Sequence, residues 1–494
     1  MSASPSFQVP LGALLLAGGA LIAACSSELP RGTRPNLVLV SIDSLRPDHL
    51  GCYGYGRPTS PFLDSLAEGG VRFENAVSTT SWTLPSHASL FTGLLGPTHG
   101  VVDNGLALSE DHRTLAELLK EAGYHTAGFF GGPYLHPTFG LAQGFDVYES
   151  CMTTTPDSAG DEAVRDSASA PDGPSHHDVT GPRTREEVAR WADGRSAAGS
   201  EEPFFLFLHL WDVHYDFEAP EEFEALFVDP DYSGPADGRL MSNALIRPGM
   251  NREDLAHVLA LYDAEIRFTD HVLEGIFADL EERGLLEDTL VVVTADHGEE
   301  FFEHGQKGHN KSLFDEVLRI PLLVSWPGQL DGGRVVEDQV QLVDLMPTLL
   351  GFAGAGAGVV GQGRDLAPLL AGQPMAARDA LSGLFIDGGR QRALRSNGRK
   401  VLVYDDETPA VYIDLEASPS EAFDAFVTTL TPHSQRQRLE GEVQLREAAK
   451  RADELRALLE RHGPGTVELS GEILRTLQGL GYVDTGAGDS GEDE

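Results

Sequence analysis

Basic residues are scarce in this chain of 494 residues: 36 Lys and Arg stand against 77 Asp and Glu, a formal net charge of -41. A surface of that sign repels nucleic acid and anionic lipid, so a broad polyanion-binding role is disfavoured. An anionic substrate would have to be drawn in by a local cationic site, against the field of the whole molecule. Cysteine is nearly absent too, with Cys25, Cys52 and Cys151 as the full set. Two cysteines past the N-terminal region make no disulfide framework, and neither has the Cys/His neighbours of structural zinc. Apolar runs long enough to cross a membrane are also missing. The longest, residues 9–24, falls short of the roughly 20 residues a spanning helix needs.

That short run has the length and composition of a signal-peptide core. It ends at Ile22-Ala23-Ala24-Cys25, which resembles a bacterial lipoprotein processing site, although no Lys or Arg precedes Arg31. The expectation is a signal peptide over 1–25 and lipidation of Cys25, giving an exported protein anchored to a bacterial membrane facing the periplasm or in the outer membrane.

From Asn36 onward, β-branched runs alternate with amphipathic patterns. Strands are expected at 36–42, 71–77, 124–130, 203–209, 289–294 and 320–325, and helices at 59–69, 84–92, 111–122, 252–284 and 341–352. Strands separated by helices of this length imply crossover connections. The fold class is therefore α/β: a mostly parallel central sheet with helices on both faces. The α/β domain is expected over 34–375, interrupted by a flexible insertion at 151–182 rich in Asp, Ser, Ala, Pro and Gly. A small antiparallel subdomain at 376–420, a helical region at 430–484 and a disordered acidic tail at 485–494 complete the organisation.

Ligands of such sheets bind beyond the carboxyl ends of the strands. Asp43 follows the run 36–42, and Asp296-His297-Gly298 follows 290–294. Carboxylates and an imidazole at strand ends suit a divalent cation. Between them Thr83-Leu84-Pro85-Ser86-His87 opens a helix, where free N–H groups favour an anion beside the Thr83 hydroxyl. Such a hydroxyl becomes a nucleophile when a metal helps remove its proton. Beyond His87 on that helix, His209 and His214 follow a predicted strand end and His309 lies in the glycine-punctuated loop 304–311.

These segments together resemble the sulfatase family of the alkaline phosphatase superfamily. The matching stretches are Asn36 to Gly54, Thr83 to Gly93, Leu208 to Tyr215, Val293 to Glu299 and Leu313 to Gly328, and the resemblance extends over roughly 36–415. It implies an alkaline phosphatase-like fold and an ester hydrolase of the sulfatase type. Family sulfatases convert a Cys or Ser in Cys/Ser-x-Pro-x-Arg into formylglycine. Here Thr83 takes that position, His87 the arginine's and Ser44 that of a second aspartate. What remains resembles the threonine-using phosphotransferases and phosphodiesterases of the superfamily.

The resemblance thus implies Thr83 as nucleophile and a divalent ion (Mn, Zn or Ca) held by Asp43, Asp296, His297 and Thr83. His87 would assist Thr83. His214 and His309 would bind the transferred group or protonate the leaving group, with Lys307 and Lys311 as substrate-binding cations. A second metal drawing on Asp212 and His309 is a further option. The expected substrate is a small-molecule, glycan or lipid ester of phosphate, phosphonate or sulfate. Two alternatives stand beside it: a genuine sulfatase working without formylglycine, and a non-catalytic surface-anchored binding protein.

Overall fold

The computed structural model describes residues 33–152, 179–386, 389–396, 398–406, 408–421, 432–459 and 465–466, together with Leu29 and Arg31. Cys25, residues 153–178 of the expected insertion and the 485–494 tail lie outside the described residues. No helix among the described residues is long and apolar enough to cross a membrane.

A nine-stranded sheet forms the centre. Across it run Val147–Ser150, His125–Phe130, Phe204–Leu210, Asn36–Ile42, Thr289–Ala295, Leu322–Ser325 and Val71–Val77. The short strand Arg319–Ile320 and the strand Arg334–Gln341 both pair with Val71–Val77. Pairing is parallel except around Leu322–Ser325 and Arg319–Ile320. Phe204–Leu210 and Thr289–Ala295 are buried at every residue. That burial on both faces explains why their sequences read as near-continuous apolar runs rather than alternating ones.

Two groups of helices pack the sheet. Pro61–Glu68 and Gly181–Ala198 lean on the long helix Arg252–Glu282, while Thr83–Thr92 and Leu115–Glu121 pack with Leu345–Ala353. The long helix starts where Asn251 accepts a hydrogen bond from the Asp254 amide at 2.7 Å, a regular N-cap. Leu115–Glu121 begins with a full capping box between Thr114 and Glu117. Thr83–Thr92 ends at Gly93, whose φ of 64° is open to glycine at little cost.

His99 braces that last helix from behind. Its ring accepts from the Val101 amide at 3.1 Å and lies 3.0 Å from Ser89 Oγ on the helix. Burial, with His112 and Arg456 nearby, lowers its pKa to about 3. Between the unfolded value of 6.5 and that folded value, the unfolded chain binds the extra proton. His99 therefore stabilises the fold fully above pH 6.5, and that contribution drains away as pH falls toward 3. Chemical denaturation from pH 7.5 to 4.5 is expected to show a smaller loss of stability in His99→Gln than in the wild type. Equal slopes would contradict the assignment.

Beyond the sheet, Ala380–Ile386, Gly389–Ser396, Arg399–Tyr404 and Val411–Asp414 form a four-stranded antiparallel sheet of consecutive neighbours. Buried ion pairs fasten it down. Lys400 Nζ lies 2.8 Å from Asp315 and 3.0 Å from Glu421, and Arg395 Nη2 lies 3.0 Å from Asp315. The helix Pro432–Leu459 packs against this sheet and the segment Gly96–His99. It turns Leu445 and Ala452 inward, while Leu439, Val443 and Leu458 are exposed. Small residues let it approach: a Cβ on Gly441 would sit 2.7 Å from Val401.

Candidate active site

Three parallel neighbours deliver the site. Ile42 pairs with Leu210 on one side and with Ala295 on the other, so the residues that follow all three strands emerge at one edge. Asp43 and Asp296 are both fully buried there. Ser44 has a φ of 55°, a rare value for a residue with a Cβ. That backbone lets its amide donate to Asp296 Oδ1 at 3.3 Å while its hydroxyl donates to Asp43 Oδ1 at 2.8 Å. The left-handed residue thus ties the two carboxylates together.

Thr83 is the first residue of its helix, and Trp82 before it provides no side-chain cap. The Thr83 hydroxyl lies 3.3 Å from Asp43 Oδ2 and 3.4 Å from His297 Nε2. Ser86 Oγ donates to the Asp296 carbonyl at 2.7 Å, which pins the first turn of this helix to the loop carrying Asp296. His297 Nδ1 sits 2.9 Å from the Gly298 carbonyl. A carbonyl can only accept, so Nδ1 carries the proton and Nε2 presents its lone pair to the carboxylates. That nitrogen lies 3.4 Å from Asp296 Oδ2 and 3.7 Å from Asp43 Oδ1.

A ring of histidines surrounds this centre. His209 Nε2 lies 3.3 Å from Asp43 Oδ2. His309 packs at 4.4 Å from the His297 ring and 4.9 Å from the His214 ring. His214 stacks on Trp211 at 3.8 Å and places Nδ1 2.6 Å from the Tyr215 carbonyl. Gly132 leaves room for that indole, because a Cβ there would meet the Trp211 ring at 2.5 Å.

His87 meets the Thr83 backbone rather than its hydroxyl. Nδ1 lies 2.8 Å from the Thr83 carbonyl and Nε2 3.1 Å from Ser41 Oγ. It therefore shapes the first helical turn and reaches the centre only at 3.8 Å, from Asp296 Oδ2. Lys307 Nζ donates to the carbonyls of Asn243 and Ile246 at 3.3 and 2.7 Å, tying down that loop. Lys311 Nζ donates to the Lys307 carbonyl at 2.7 Å and sits within electrostatic reach of Glu299 and His309.

His209 reads in the sequence as a strand-end histidine without a role of its own, and Glu299 is a site residue the sequence pattern does not single out. Glu299 is fully buried, with His309 Nδ1 at 3.3 Å. Its signal was the charge itself, a Glu directly after Asp-His-Gly.

The electrostatics divide the two aspartates. Burial opposes ionisation of Asp43, but His214, His209 and His297 outweigh it and hold the carboxyl well below its usual range. Burial, reinforced by the Asp43 charge, pushes Asp296 well above its own. Burial also brings His297 and His309 down to about 4, so both rings are neutral at pH 7. The same burial, with Asp43, raises Glu299 to about 8 against the pull of His297, Lys311 and Arg46.

Among the described residues two groups offer three potential ligand atoms within 4.8 Å of one another: Asp43, Asp296 and His297, and Glu300, His304 and Glu316. In the second group His304 is paired with Glu316 and with the Glu421 carbonyl. Asp212 and His309 belong to neither group. Asp212 instead accepts from the Thr180 amide at 2.6 Å. Cys52 and Cys151 are unpaired with each other, as free thiols.

The sulfatase family model matches residues 35–355, and the model of the N-sulphoglucosamine sulphohydrolase C-terminal region matches 303–440. The chain belongs to the sulfatase family. The ulvan-active sulfatase of Formosa agariphila is 28% identical over 422 residues, covering 78% of this chain and 76% of that one. Two solved structures share the fold. BT4656, solved in complex with its substrate D-glucosamine-2-N,6-O-disulfate, superposes with a TM-score of 0.68 at 20% identity, over 85% of this chain and 98% of that one. The phosphonate monoester hydrolase of Agrobacterium radiobacter gives 0.64 at 23%, over 88% and 99%. This sulfatase-family protein is therefore a hydrolase of sulfate or phosphate esters. Its α/β fold with a small antiparallel sheet is the one expected from its sequence.

Proposed function

We propose that the chain is a metal-dependent hydrolase of phosphate, phosphonate or sulfate esters that uses Thr83 as its nucleophile. The observation that carries the reading is the unbalanced centre around the Thr83 hydroxyl. Asp296 Oδ2 is buried without a hydrogen-bond partner, and the nitrogen facing it, His297 Nε2, carries a lone pair rather than a proton. Two buried carboxylates and an imidazole lone pair converging on one point fit a divalent cation, whose charge would take the place of the proton that burial favours on Asp296. Asp43, Asp296, His297 and Thr83 would hold that ion. When bound, it supplies a positive charge that favours the threonine alkoxide and polarises the ester.

The protein's own groups do the rest. Asp43 accepts the hydrogen bond of the Thr83 hydroxyl and orients it. The helix N-terminus at Thr83 directs free amides at an anion beside the hydroxyl. His214 and His309 meet the transferred group or the leaving oxygen from the far side, and Lys311 adds a cation. Attack by Thr83 forms a covalent threonine ester and releases the alcohol; water then hydrolyses that ester.

Threonine in place of the Cys or Ser that yields formylglycine favours phosphorus over sulfur as the reacting centre. A sulfate ester of threonine has no hydrate route for expelling sulfate. The relatives named above include both a sulfatase and a phosphonate hydrolase, and sulfate ester cleavage by the same threonine is the second reading. Lipidation of Cys25, and with it export to a bacterial membrane, completes the proposal on the sequence motif alone.

The test is a panel of 4-nitrophenyl phosphate, bis(4-nitrophenyl) phosphate, 4-nitrophenyl phenylphosphonate and 4-nitrophenyl sulfate. Each is assayed after chelation and after return of Mn, Zn or Ca. Turnover of a phosphorus ester that disappears on chelation and returns with metal supports the reading. Turnover of the sulfate alone moves the assignment to the second. Silence throughout, with no metal bound, leaves the binding-protein alternative.

A further inference from the structure

The turn that follows Asp43 holds an uncommon backbone. Ser44 sits at a φ of 55°, so that its amide reaches Asp296 Oδ1 while its hydroxyl reaches Asp43 Oδ1. A residue with a Cβ stays in that left-handed region only where its surroundings over-determine it. Tyr262, fully buried on the long helix Arg252–Glu282, supplies the constraint. Its hydroxyl donates to the Ser44 carbonyl at 2.8 Å and accepts from the Arg46 amide at 3.0 Å. The phenol thus fixes the peptide groups on both sides of Leu45, and with them the ψ of Ser44.

The ring itself has little freedom. It meets His49, Phe217 and Phe301 edge to face, at centroid distances of 5.0, 5.4 and 5.0 Å. Arg46 carries the hold across to the second carboxylate. Its guanidinium donates to the Glu299 carbonyl at 3.0 Å and to Glu303 at 2.6 Å, both on the loop that Asp296 opens. The next helix residue, Asp263, grips the same chain farther out. It meets His49 Nδ1 at 2.7 Å and accepts from the Tyr55 hydroxyl at 2.7 Å and from Arg57 at 2.6 Å. Those bonds fasten residues 49–57 to the helix without touching the turn at 43–46.

We propose that Tyr262 is a positioning residue that sets the Asp43–Ser44 turn, and so brings Asp43 and Asp296 into register before a divalent cation binds. The inference rests on the metal-dependent reading and deepens it. Tyr262 touches neither the cation nor the substrate. Two buried carboxylates repel each other, and the Ser44 amide is a neutral donor that steadies one of them beside the other. Without the phenol, residue 44 relaxes toward ordinary backbone and its amide leaves Asp296. The ion must then reorganise the turn as it binds, and affinity falls. Once bound, the ion's charge holds the carboxylates together, so the chemistry at Thr83 is little changed.

The experiment is calorimetric titration of the full chain, stripped by chelation, with Mn, Zn and Ca in turn. Wild type, Tyr262→Phe and Tyr55→Phe are compared, with melting curves and with ester turnover followed against metal concentration. Tyr262→Phe keeps the ring and is expected to bind metal about 10- to 100-fold more weakly. Its turnover at saturating metal stays near the wild-type rate. Tyr55→Phe loses a bond to the same helix, and its metal dissociation constant stays unchanged even where its melting temperature falls. Should Tyr262→Phe melt below the assay temperature, Tyr262→4-fluorophenylalanine fills the space of the hydroxyl, cannot donate, and shows the same weakening.

A folded Tyr262→Phe that binds metal as tightly as the wild type overturns the proposal. Equal weakening in Tyr55→Phe also overturns it, because the effect would then be a general loosening of the helix contact. A wild type that binds none of the three ions overturns the metal-dependent reading, and this inference with it.

Discussion

Replacing Thr83 with alanine is expected to lower ester turnover by roughly four orders of magnitude or more, the scale seen when a covalent nucleophile is removed. The loss will be chemical rather than structural. Thr83 is not the N-cap of its helix, its hydroxyl makes no capping bond, and among the described residues that hydroxyl meets Asp43 and His297 alone. Alanine is also the better helix former. The melting temperature should therefore stay close to that of the wild type while the rate collapses. Thr83→Ser keeps an oxygen within reach of Asp43 and should retain measurable activity. A Thr83→Ala protein that remains within tenfold of wild type would remove the threonine from the mechanism.

The largest effect on stability is expected far from that hydroxyl. Lys400 is completely buried between Asp315 and Glu421. Burial opposes ionisation of Asp315, but Lys400 and Arg395 outweigh it and hold the carboxyl well below its usual range. Lys400→Ala leaves the two acids facing each other with only Arg395, on the Asp315 side, to balance them, and breaking a buried pair from one side costs about 3–5 kcal/mol. Urea unfolding measures it. A loss below about 1 kcal/mol would mean that Arg395 alone carries the cluster.

The sign with pH follows from the lowered Asp315 pKa. The stabilisation from ionised Asp315 is present above the unfolded value near 3.8 and is lost as pH falls below it. Because Asp315 lies just past the loop carrying His309, this loss should also reduce turnover.

Much of the fold was legible from composition. The runs at 36–42, 204–210 and 289–295 are mostly apolar because they occupy the middle of the sheet, and near-continuous runs of that length announce themselves. The Thr83 helix ends where Gly93 permits a left-handed residue, as its sequence promised. Two sheet strands escaped notice for the opposite reason. Val147–Ser150 lies at the sheet edge with no fully buried residue, and Arg334–Gln341 is half exposed with a register shift between Val336 and Gln339. Edge strands carry charges, so their apolar pattern is thin.

The site was legible in the same uneven way. Asp43, Thr83, Asp296 and His297 could be placed together because each sits at the end of a recognisable element. His87 also lies there, but its placement at i+4 on the helix turns the ring to the Thr83 carbonyl, a matter of rotamer that spacing does not reveal. The contact between Glu299 and His309 spans a ten-residue loop whose course depends on Gly308 and Asn310 in left-handed conformations. Nothing in a linear pattern marks that contact. Lys307 and Lys311 read in the sequence as substrate-binding cations, yet Lys307 is engaged by two loop carbonyls, because a half-buried ammonium takes the acceptors that lie near it.

The most direct measurement is to quench the metal-loaded protein in acid during turnover of 4-nitrophenyl phenylphosphonate, digest it, and locate the modified peptide by mass spectrometry. The expected result is a phenylphosphonyl group on Thr83, absent when the protein is chelated beforehand. Steady turnover with the Thr83 peptide unmodified and the group on another side chain would contradict the account.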